Sequence, residues 1–371
     1  MGYNTWYQYR TAANQADVLT MAHLLVSTGL AKAGYHTVNL DDGWMALRRT
    51  ASGALTWNKS KFPKGIPWLA DQLHAMGLEL GIYTAIGDKT CKGFPGSWAH
   101  YRQDTRTFVS WGIDFVKVDE CGGLPTWTTA ATVTKDFRQF ANYLRQYNPD
   151  VIYSQELPIY TTGTRNFIRS VRASSTFSNM WRVTPDDDAN NMALTHANAS
   201  RMILRHLADD WNLHGFARPG HWNDLDMVAP RMPATSWTLS DLKNQLSVWA
   251  EEASPLLISA NLATLTRAEL AALGNPYVIT IDQSGQQASR RFGPVHGIEG
   301  LRKPYPGGGV SVLFANTARR AATARFTLAQ AGIASARASA YNVWSGKTGT
   351  LSALSITLGT GQTALYVISP E

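Results

Sequence analysis

Carboxylates recur at the ends of short apolar runs in this chain. The run Phe115-Val116-Lys117-Val118-Asp119 follows Trp111-Gly112-Ile113-Asp114 and closes on an acid. Read as a strand, it places Phe115, Lys117 and Asp119 on one face and Val116 and Val118 on the other. A lysine in so apolar a strand is costly to bury without an anion beside it, and Asp119, two residues on, is in place to supply the charge. A carboxylate kept ionised in this way can serve as a nucleophile, the role expected of Asp119. Other acids and aromatics keep the same phase: Trp6 after the first strand-like stretch, Asp41 and Asp42 after the second, Tyr83 on the third and Glu156 after the fifth. Trp181 and Arg182 end the sixth, and Asp224 and Asp226 the seventh. Surface acids scattered at random would not keep this phase.

Each residue also has a simpler role open to it. Asp41 and Asp42 could cap a turn, and Lys117 could be a structural counter-ion. Asp186-Asp187-Asp188 could be an N-cap and first helical turn, where acids are favoured, and that reading is preferred for Asp187 and Asp188. Asp224 and Asp226 could bind a metal with His221. The 9 histidines, however, do not cluster at strand ends apart from His221, unlike the paired histidines of many metal sites. A G-x-S-x-G elbow is absent, and no G-x-G-x-x-G follows a strand. The expectation is a cleft without metal or cofactor, rich in carboxylates and flanked by aromatics. Glycosidases are equipped in this way, one carboxylate attacking and another acting as acid and then base.

The elements that must position these groups alternate. Strand-like stretches are expected at Tyr3–Tyr7, Thr37–Leu40, Leu78–Thr84, Phe115–Asp119, Val151–Gln155, Thr176–Trp181, after His221 and at Leu256–Ser259. Helical periods separate them: from about Asn14, with Val18, Met21, Ala22 and Leu25 on one face; Trp68–Met76; His100–Trp111; and a stripe of Val133, Phe137, Phe140 and Leu144. Further helices are expected at Thr164–Val171, Ala189–Leu207, Ser240–Glu252 and Arg267–Leu273. Eight strand-then-helix units argue for a (β/α)8 TIM barrel with its active site at the C-terminal strand ends. After about Asp282 the pattern turns to short strands: Val310–Phe314, Ala324–Thr327, Ala340–Trp344, Leu354–Leu358 and Thr363–Ile368. These indicate a C-terminal antiparallel β-sandwich without clustered ionisable residues, suited to a stabilising or carbohydrate-accessory role. The expected domains are 1–285, catalytic, and 286–371, sandwich.

Length and composition agree with this division. The chain has 371 residues, 44% of them hydrophobic and only 16% charged, with 13 Trp and 14 Tyr. A formal net charge of +7 permits an anionic partner, but the basic residues are scattered, in pairs such as Arg48-Arg49 and Arg290-Arg291. The charge is therefore read as favouring solubility rather than nucleic-acid binding. No apolar run approaches a membrane span. Met1 leads straight into a strand-like stretch rather than a signal peptide, so the chain reads as a mature or trimmed form.

Several motifs in order resemble glycoside hydrolase family 27, the α-galactosidases and α-N-acetylgalactosaminidases, from Met1 to about Asp282. They are Met1-Gly2-Tyr3-Asn4-Thr5-Trp6, Asn39-Leu40-Asp41-Asp42-Gly43-Trp44, Lys89-Thr90-Cys91-Lys92-Gly93-Phe94-Pro95-Gly96-Ser97, Lys117-Val118-Asp119 and Trp222-Asn223-Asp224-Leu225-Asp226-Met227. Trp181-Arg182-Val183-Thr184-Pro185-Asp186 is similar to the family's Trp-Arg-x-x-x-Asp. The resemblance implies a retaining exo-glycosidase acting on terminal α-galactosyl residues of a carbohydrate, with Asp119 as nucleophile and Asp186 as acid/base. It further implies that Asp41 and Asp42 hold sugar hydroxyls and that Trp6 stacks on the ring. Tyr83, Lys117, Glu156, Ile159, Tyr160, Arg182 and Asp226 complete the sugar contacts. Cys91 and Cys121 match two family cysteines that pair, and a disulfide beside the nucleophile indicates a secreted protein. Gly43 stands where the family often has a cysteine, His221 where glycine is usual and Leu225 where proline is. In the family, bulky groups in the loop Glu156-Leu157-Pro158-Ile159-Tyr160 exclude a 2-acetamido substituent, so Glu156 and Ile159 favour galactose. β-L-arabinopyranosidase, isomaltodextranase and α-N-acetylgalactosaminidase are the alternatives within the family. A sugar-binding protein that kept the fold without hydrolysis is the alternative outside it. Neither the aglycone nor the oligomeric state can be read from the residues.

Overall fold

The computed structural model describes residues 1–123, 129–186, 213–231, 237–286 and 290–371. They fall into two units, Met1–Pro185 with Leu257–Leu265 and Asp186–Leu256 with Thr266–Glu371. Eight barrel strands run along the chain: β1 Gly2–Asn4, β2 Thr37–Leu40, β3 Glu79–Ala85, β4 Phe115–Asp119, β5 Ile152–Gln155, β6 Met180–Arg182, β7 Trp222–Asp224 and β8 Leu257–Ile258. All but β7 belong to the first unit. There β8, β1, β2, β3, β4, β5 and β6 pair in that order, every pair parallel. The register sets Tyr83 opposite Lys117 and Ala85 opposite Asp119. Strands covered on both faces are apolar throughout, and in β4 only Lys117 is less than fully buried.

The first unit's helices are α1 Trp6–Tyr9, α2 Gln15–Ser27, α3 Ile66–Ala75, α4 Tyr101–Ser110, α5 Ala130–Tyr147 and α6 Phe167–Ser174. Asn14 caps α2 as expected: its side chain accepts from the Ala16 and Asp17 N–H groups, and the Asp17 carboxylate takes the Asn14 N–H in return. The α5 stripe of Val133, Phe137, Phe140 and Leu144 is buried.

Three boundaries differ from expectation because side chains compete for backbone hydrogen bonds. Asn4 Oδ1 accepts the Trp6 N–H at 2.7 Å, so β1 stops at Asn4 and Trp6 begins a helical turn instead of ending a strand. Thr164 binds back to the Thr161 carbonyl at 2.6 Å and accepts the Asn166 N–H at 3.1 Å. That turn delays α6 to Phe167. After α6, Ser178 Oγ donates to the Ser174 carbonyl at 2.7 Å, holding the turns closed and shortening β6. The helix expected over Ala189–Leu207, with Asp187 and Asp188 before it, lies outside the described residues.

In the second unit, β7 is followed by α7 Leu239–Glu252, α8 Arg267–Leu273 and α9 Pro276–Asp282. Thr238 and Thr266 start α7 and α8 with capping boxes to Asp241 and Glu269. Helix α9 was not expected; Asn275 caps it and Pro276 occupies its first turn. Eight strands then follow where five were expected. They are β9 Arg290–Val295, β10 Ile298–Pro304, β11 Val310–Asn316, β12 Ala322–Thr327, β13 Ala338–Asn342, β14 Thr348–Leu351, β15 Ala353–Leu358 and β16 Thr363–Pro370. A six-stranded sheet, β14-β13-β16-β11-β10-β9, faces a two-stranded one, β12-β15. Between them Val312, Phe314, Phe326, Leu354, Ile356 and Ile368 form the core. The architecture is a (β/α)8 barrel followed by a C-terminal antiparallel β-sandwich.

The sandwich, expected to lack clustered ionisable residues, contributes Lys303 to a buried group whose carboxylates lie before it in the chain. Lys303 on β10 is buried, its Nζ donates to the Ala250 carbonyl at 2.7 Å, and the carboxylates of Glu251, Asp282 and Glu252 act on it. Its partners come from before residue 283, so the sandwich sequence taken alone conceals them.

Candidate active site

β4 delivers Asp119 at its C-terminal end, buried. The carboxylate is held at both oxygens. Tyr83 on β3 donates its hydroxyl to Oδ2 at 2.9 Å, and Tyr160 donates to Oδ1 at 2.5 Å. The Glu120 N–H also donates to Oδ1, at 2.7 Å. Burial first, and then the Asp119 charge, raise both phenol pKa values. Both hydroxyls therefore stay protonated and remain donors. Tyr160 is 47% exposed as a residue although its hydroxyl is turned onto Asp119, which makes it a rim residue. Ile159, half-buried, precedes it in the same short turn, Ile159–Thr161.

Lys117 shares the interior face with Asp119, but Asp119 is not its ion-pair partner. Its Nζ lies 3.1 Å from Asp41 Oδ2 and 3.1 Å from Glu156 Oε1, carboxylates that follow β2 and β5. Burial on its own would lower the Lys117 pKa. The charges of Asp41, Glu156 and Asp119 outweigh it and hold the ammonium well above its ordinary value. Counter-charge thus comes from neighbouring strands instead of two residues along the same one, because a long side chain reaches across the barrel layer more readily than back along its own strand. Glu156 also meets Arg182 Nη1 at 3.5 Å, both side chains being buried.

Asp41 and Asp42 follow β2 and are buried. Asp41 Oδ2 also accepts from Asn4 Nδ2 at 2.8 Å, and its Oδ1 accepts the Asp42 N–H at 2.8 Å. Asp42 Oδ2 accepts the Lys92 N–H at 3.0 Å, whereas its Oδ1 is buried with no hydrogen-bond partner. Burial, and then the neighbouring Asp41, raise the Asp42 pKa to about 6. An unfilled acceptor of this kind suits a ligand hydroxyl. Next in the chain, Gly43 has φ +99°, and a Cβ there would come within 2.8 Å of Thr11. Only glycine lets the loop pass so close.

Cys91 and Cys121 form a disulfide, with Cα atoms 5.0 Å apart. Cys91 Sγ lies 3.0 Å from Asp119 Oδ2. A disulfide sulfur carries no proton, so this is a packing contact rather than a hydrogen bond. For the same reason Cys91, Cys121 and Asp119, though close together, offer no thiolate to a metal. Trp6, half-buried, has Arg10 Cζ at 5.3 Å and Lys92 Nζ at 5.4 Å from its ring centroid. The second unit carries Asp186, exposed at its first position, and Asp226, buried, with φ +84°. The Asp226 N–H donates to Asp224 Oδ1 at 2.9 Å, and its carbonyl accepts from Trp249 Nε1 at 2.8 Å. Aspartate tolerates the left-handed region better than bulkier residues, and strain of this kind gathers at functional sites.

The first unit therefore brings together Asp41, Asp42, Tyr83, Lys117, Asp119, Glu156, Tyr160 and Arg182, beside the disulfide. Sequence reasoning gave no role to Asn4, Lys92 or Glu120. Asn4 stands within a quoted motif, and Glu120 directly follows the nucleophile candidate. Glu120 is half-buried, its Oε2 has no partner, and burial followed by the Asp119 charge raises its pKa to about 8. The arrangement as a whole offers one well-positioned carboxylate among several acceptors for hydroxyl groups.

Comparison with known proteins places this geometry in context. A family profile described as "Alpha galactosidase A" matches residues 10–284, and one described as "Alpha galactosidase C-terminal beta sandwich domain" matches 296–368. A probable alpha-galactosidase A of Aspergillus fumigatus is 35% identical over 295 residues, covering 78% of this chain and 55% of that protein. The chain spans about half the length of the first such relatives it matches. Among solved structures, alpha-galactosidase I of Mortierella vinacea superposes with a TM-score of 0.88 at 24% identity, covering 100% of this chain and 96% of that one. A β-L-arabinopyranosidase of Geobacillus stearothermophilus gives 0.84 at 18%, covering 100% and 97%.

Proposed function

Because the chain belongs to the alpha galactosidase A family, glycoside hydrolase family 27, we propose that it is a retaining exo-glycosidase releasing terminal α-D-galactosyl residues from a carbohydrate. The observation that carries this reading is Asp119 held at both oxygens by protonated phenols, beside Asp42 with an empty, buried acceptor. Asp119 attacks the anomeric carbon while Asp186 protonates the departing oxygen. Water then attacks the glycosyl–Asp119 ester, Asp186 removes its proton, and both carboxyl groups regain their starting states. Asp41 and Asp42 accept sugar hydroxyls, and Trp6 stacks on the ring. Tyr83, Lys117, Glu156, Ile159, Tyr160, Arg182 and Asp226 form the rest of the glycone site. Glu156 and Ile159 leave little room for a 2-acetamido group. The Cys91–Cys121 bridge supports export to an oxidising compartment, and the catalytic portion is taken to end near residue 285. Among the described residues, no helix is long and apolar enough to cross a membrane.

A panel of aryl glycosides tests the assignment. The α-galactoside is expected to be cleaved fastest, ahead of the β-L-arabinopyranoside, α-glucoside and α-N-acetylgalactosaminide, with α-galactose as the first product by proton NMR. Asp119→Ala and Asp186→Ala are each expected to lose at least about 100-fold in kcat/KM. Faster cleavage of another glycoside, or β-galactose appearing first, would overturn the reading.

A further inference from the structure

A carboxylate can hold a sugar hydroxyl only if the backbone behind it is held still, and for Asp42 that backbone is the loop after β2. Lys61, half-buried between β2 and α3, reaches this loop. Its Nζ donates to the Gly43 carbonyl at 2.9 Å and also to the Thr11 carbonyl. Gly43 directly follows Asp42, and Thr11 lies five positions after Trp6. The two backbones are so close that a Cβ on Gly43 would come within 2.8 Å of Thr11. Carbonyl oxygens turned toward one point repel each other, and an ammonium between them bonds both more strongly than a neutral donor would. The Lys61 main chain is fixed in its turn. Its carbonyl accepts the Gln15 N–H at 2.9 Å, its N–H donates to the Asn58 carbonyl at 3.1 Å, and the Asn58 N–H binds the Trp44 carbonyl at 2.8 Å.

The simpler account is a lysine lying along the surface with its head in water. Such a lysine needs no main-chain acceptors, whereas the Lys61 ammonium is turned onto two of them. Burial lowers its pKa, and the charge of Asp42 acts in the opposite sense, which places the ammonium within electrostatic reach of that carboxylate. The other fastening of Asp42 is the Lys92 N–H on Oδ2, from the loop after β3. Without Lys61 the carboxylate stays tethered at one oxygen while its own backbone loses a tie. We propose that Lys61 is a positioning residue for the glycosidase reaction: by joining the Thr11 and Gly43 carbonyls it sets Asp42 against the sugar. The inference rests on the α-galactosidase reading above, which makes Asp42 a sugar contact.

The test is a double-mutant cycle on kcat/KM for an aryl α-galactoside, run where circular dichroism shows every variant folded. Lys61→Met keeps the stem and removes the donors. It is expected to lose about tenfold in kcat/KM, chiefly through KM, as when a sugar contact made in both ground and transition states is weakened. In an Asp42→Asn background the same change is expected to cost less than about twofold. Lys61→Arg, which restores the donors, is expected to recover most of the loss. A lower melting temperature with kcat/KM within about twofold of wild type would show a tie that acts on the fold alone. An equal loss in both backgrounds would show that Lys61 does not act through Asp42. Either result overturns the proposal. If Lys61→Met does not fold, Lys61→Gln, which keeps one donor group, goes through the same cycle against the same limits. Faster cleavage of another glycoside by wild type would remove the α-galactoside reading alone, because the cycle run with that glycoside still decides the role of Lys61. Cleavage of no glycoside would remove both.

Discussion

Glu120 and Asp119 are adjacent acids with different hydrogen-bond surroundings. Asp119 has donors on both oxygens, whereas Glu120 has an unpartnered buried Oε2 and a pKa raised to about 8. A carboxyl whose folded pKa lies above its unfolded value binds more protons in the native state between the two values. Folding stability therefore falls as pH rises across that window, by at most about 1.4 kcal/mol per pH unit. Glu120→Gln removes the titration. Its melting temperature relative to wild type is expected to climb by more than about 4 °C between pH 5 and pH 8, measured by differential scanning calorimetry. A constant offset across that range would refute the account. At this scale the sequence disclosed which residues share a face but not what they touch. Alternation put Lys117 and Asp119 on one side correctly, yet Lys117 pairs with Asp41 and Glu156, separated from it by 76 and 39 positions along the chain. Spacing along one strand cannot report partners brought in by parallel pairing.

At the scale of elements, the barrel strands were readable because fully buried parallel strands are continuous apolar runs. Boundaries went astray where a single polar side chain outbid the backbone, as with Asn4 at Trp6 and Thr164 before α6. In the sandwich, β9 and β10 escaped notice because Arg290-Arg291 and Arg302-Lys303 interrupt the alternation expected of half-buried strands. The disulfide is the covalent tie between two such elements, joining the loop after β3 to the end of β4 across 30 positions. Closing a loop of that length restricts the unfolded chain by about 3–4 kcal/mol. Here it also packs a sulfur on Asp119 Oδ2. Cys91→Ala/Cys121→Ala is therefore expected to melt lower by about 5–15 °C, and to lose kcat/KM for the aryl α-galactoside even well below that melting point, where the fold is intact. Loss of stability with unchanged turnover would show that the bridge acts on the fold alone.

At the scale of the whole molecule, the sandwich and the helix that precedes it within the second unit are joined by charge as well as by apolar packing. Trp344 Nε1 donates to Ser247 Oγ of α7 at 2.8 Å, and Asn244 of α7 accepts the Thr363 N–H of β16 at 3.1 Å. At the centre of this contact Lys303 reaches from β10 to the Ala250 carbonyl. Burial lowers its pKa, while Glu251, Asp282 and Glu252 act in the opposite sense. Burial in turn raises the Asp282 pKa to about 7, against the pull of Lys303. Removing one partner of such a knot strands the others, which costs about 3–5 kcal/mol, whereas a well-packed apolar replacement of the whole group can be neutral. Lys303→Met keeps the stem and deletes the charge, so it should lower the melting temperature by about 6–20 °C at pH 8. The loss should be smaller at pH 5, where Asp282 takes up a proton and no longer needs the ammonium. Calorimetry at the two pH values separates this from a simple packing defect, which would cost the same at both. An equal loss at pH 5 and pH 8 would mean that Lys303 holds the sandwich to α7 through packing or its hydrogen bond to Ala250 and not through its charge.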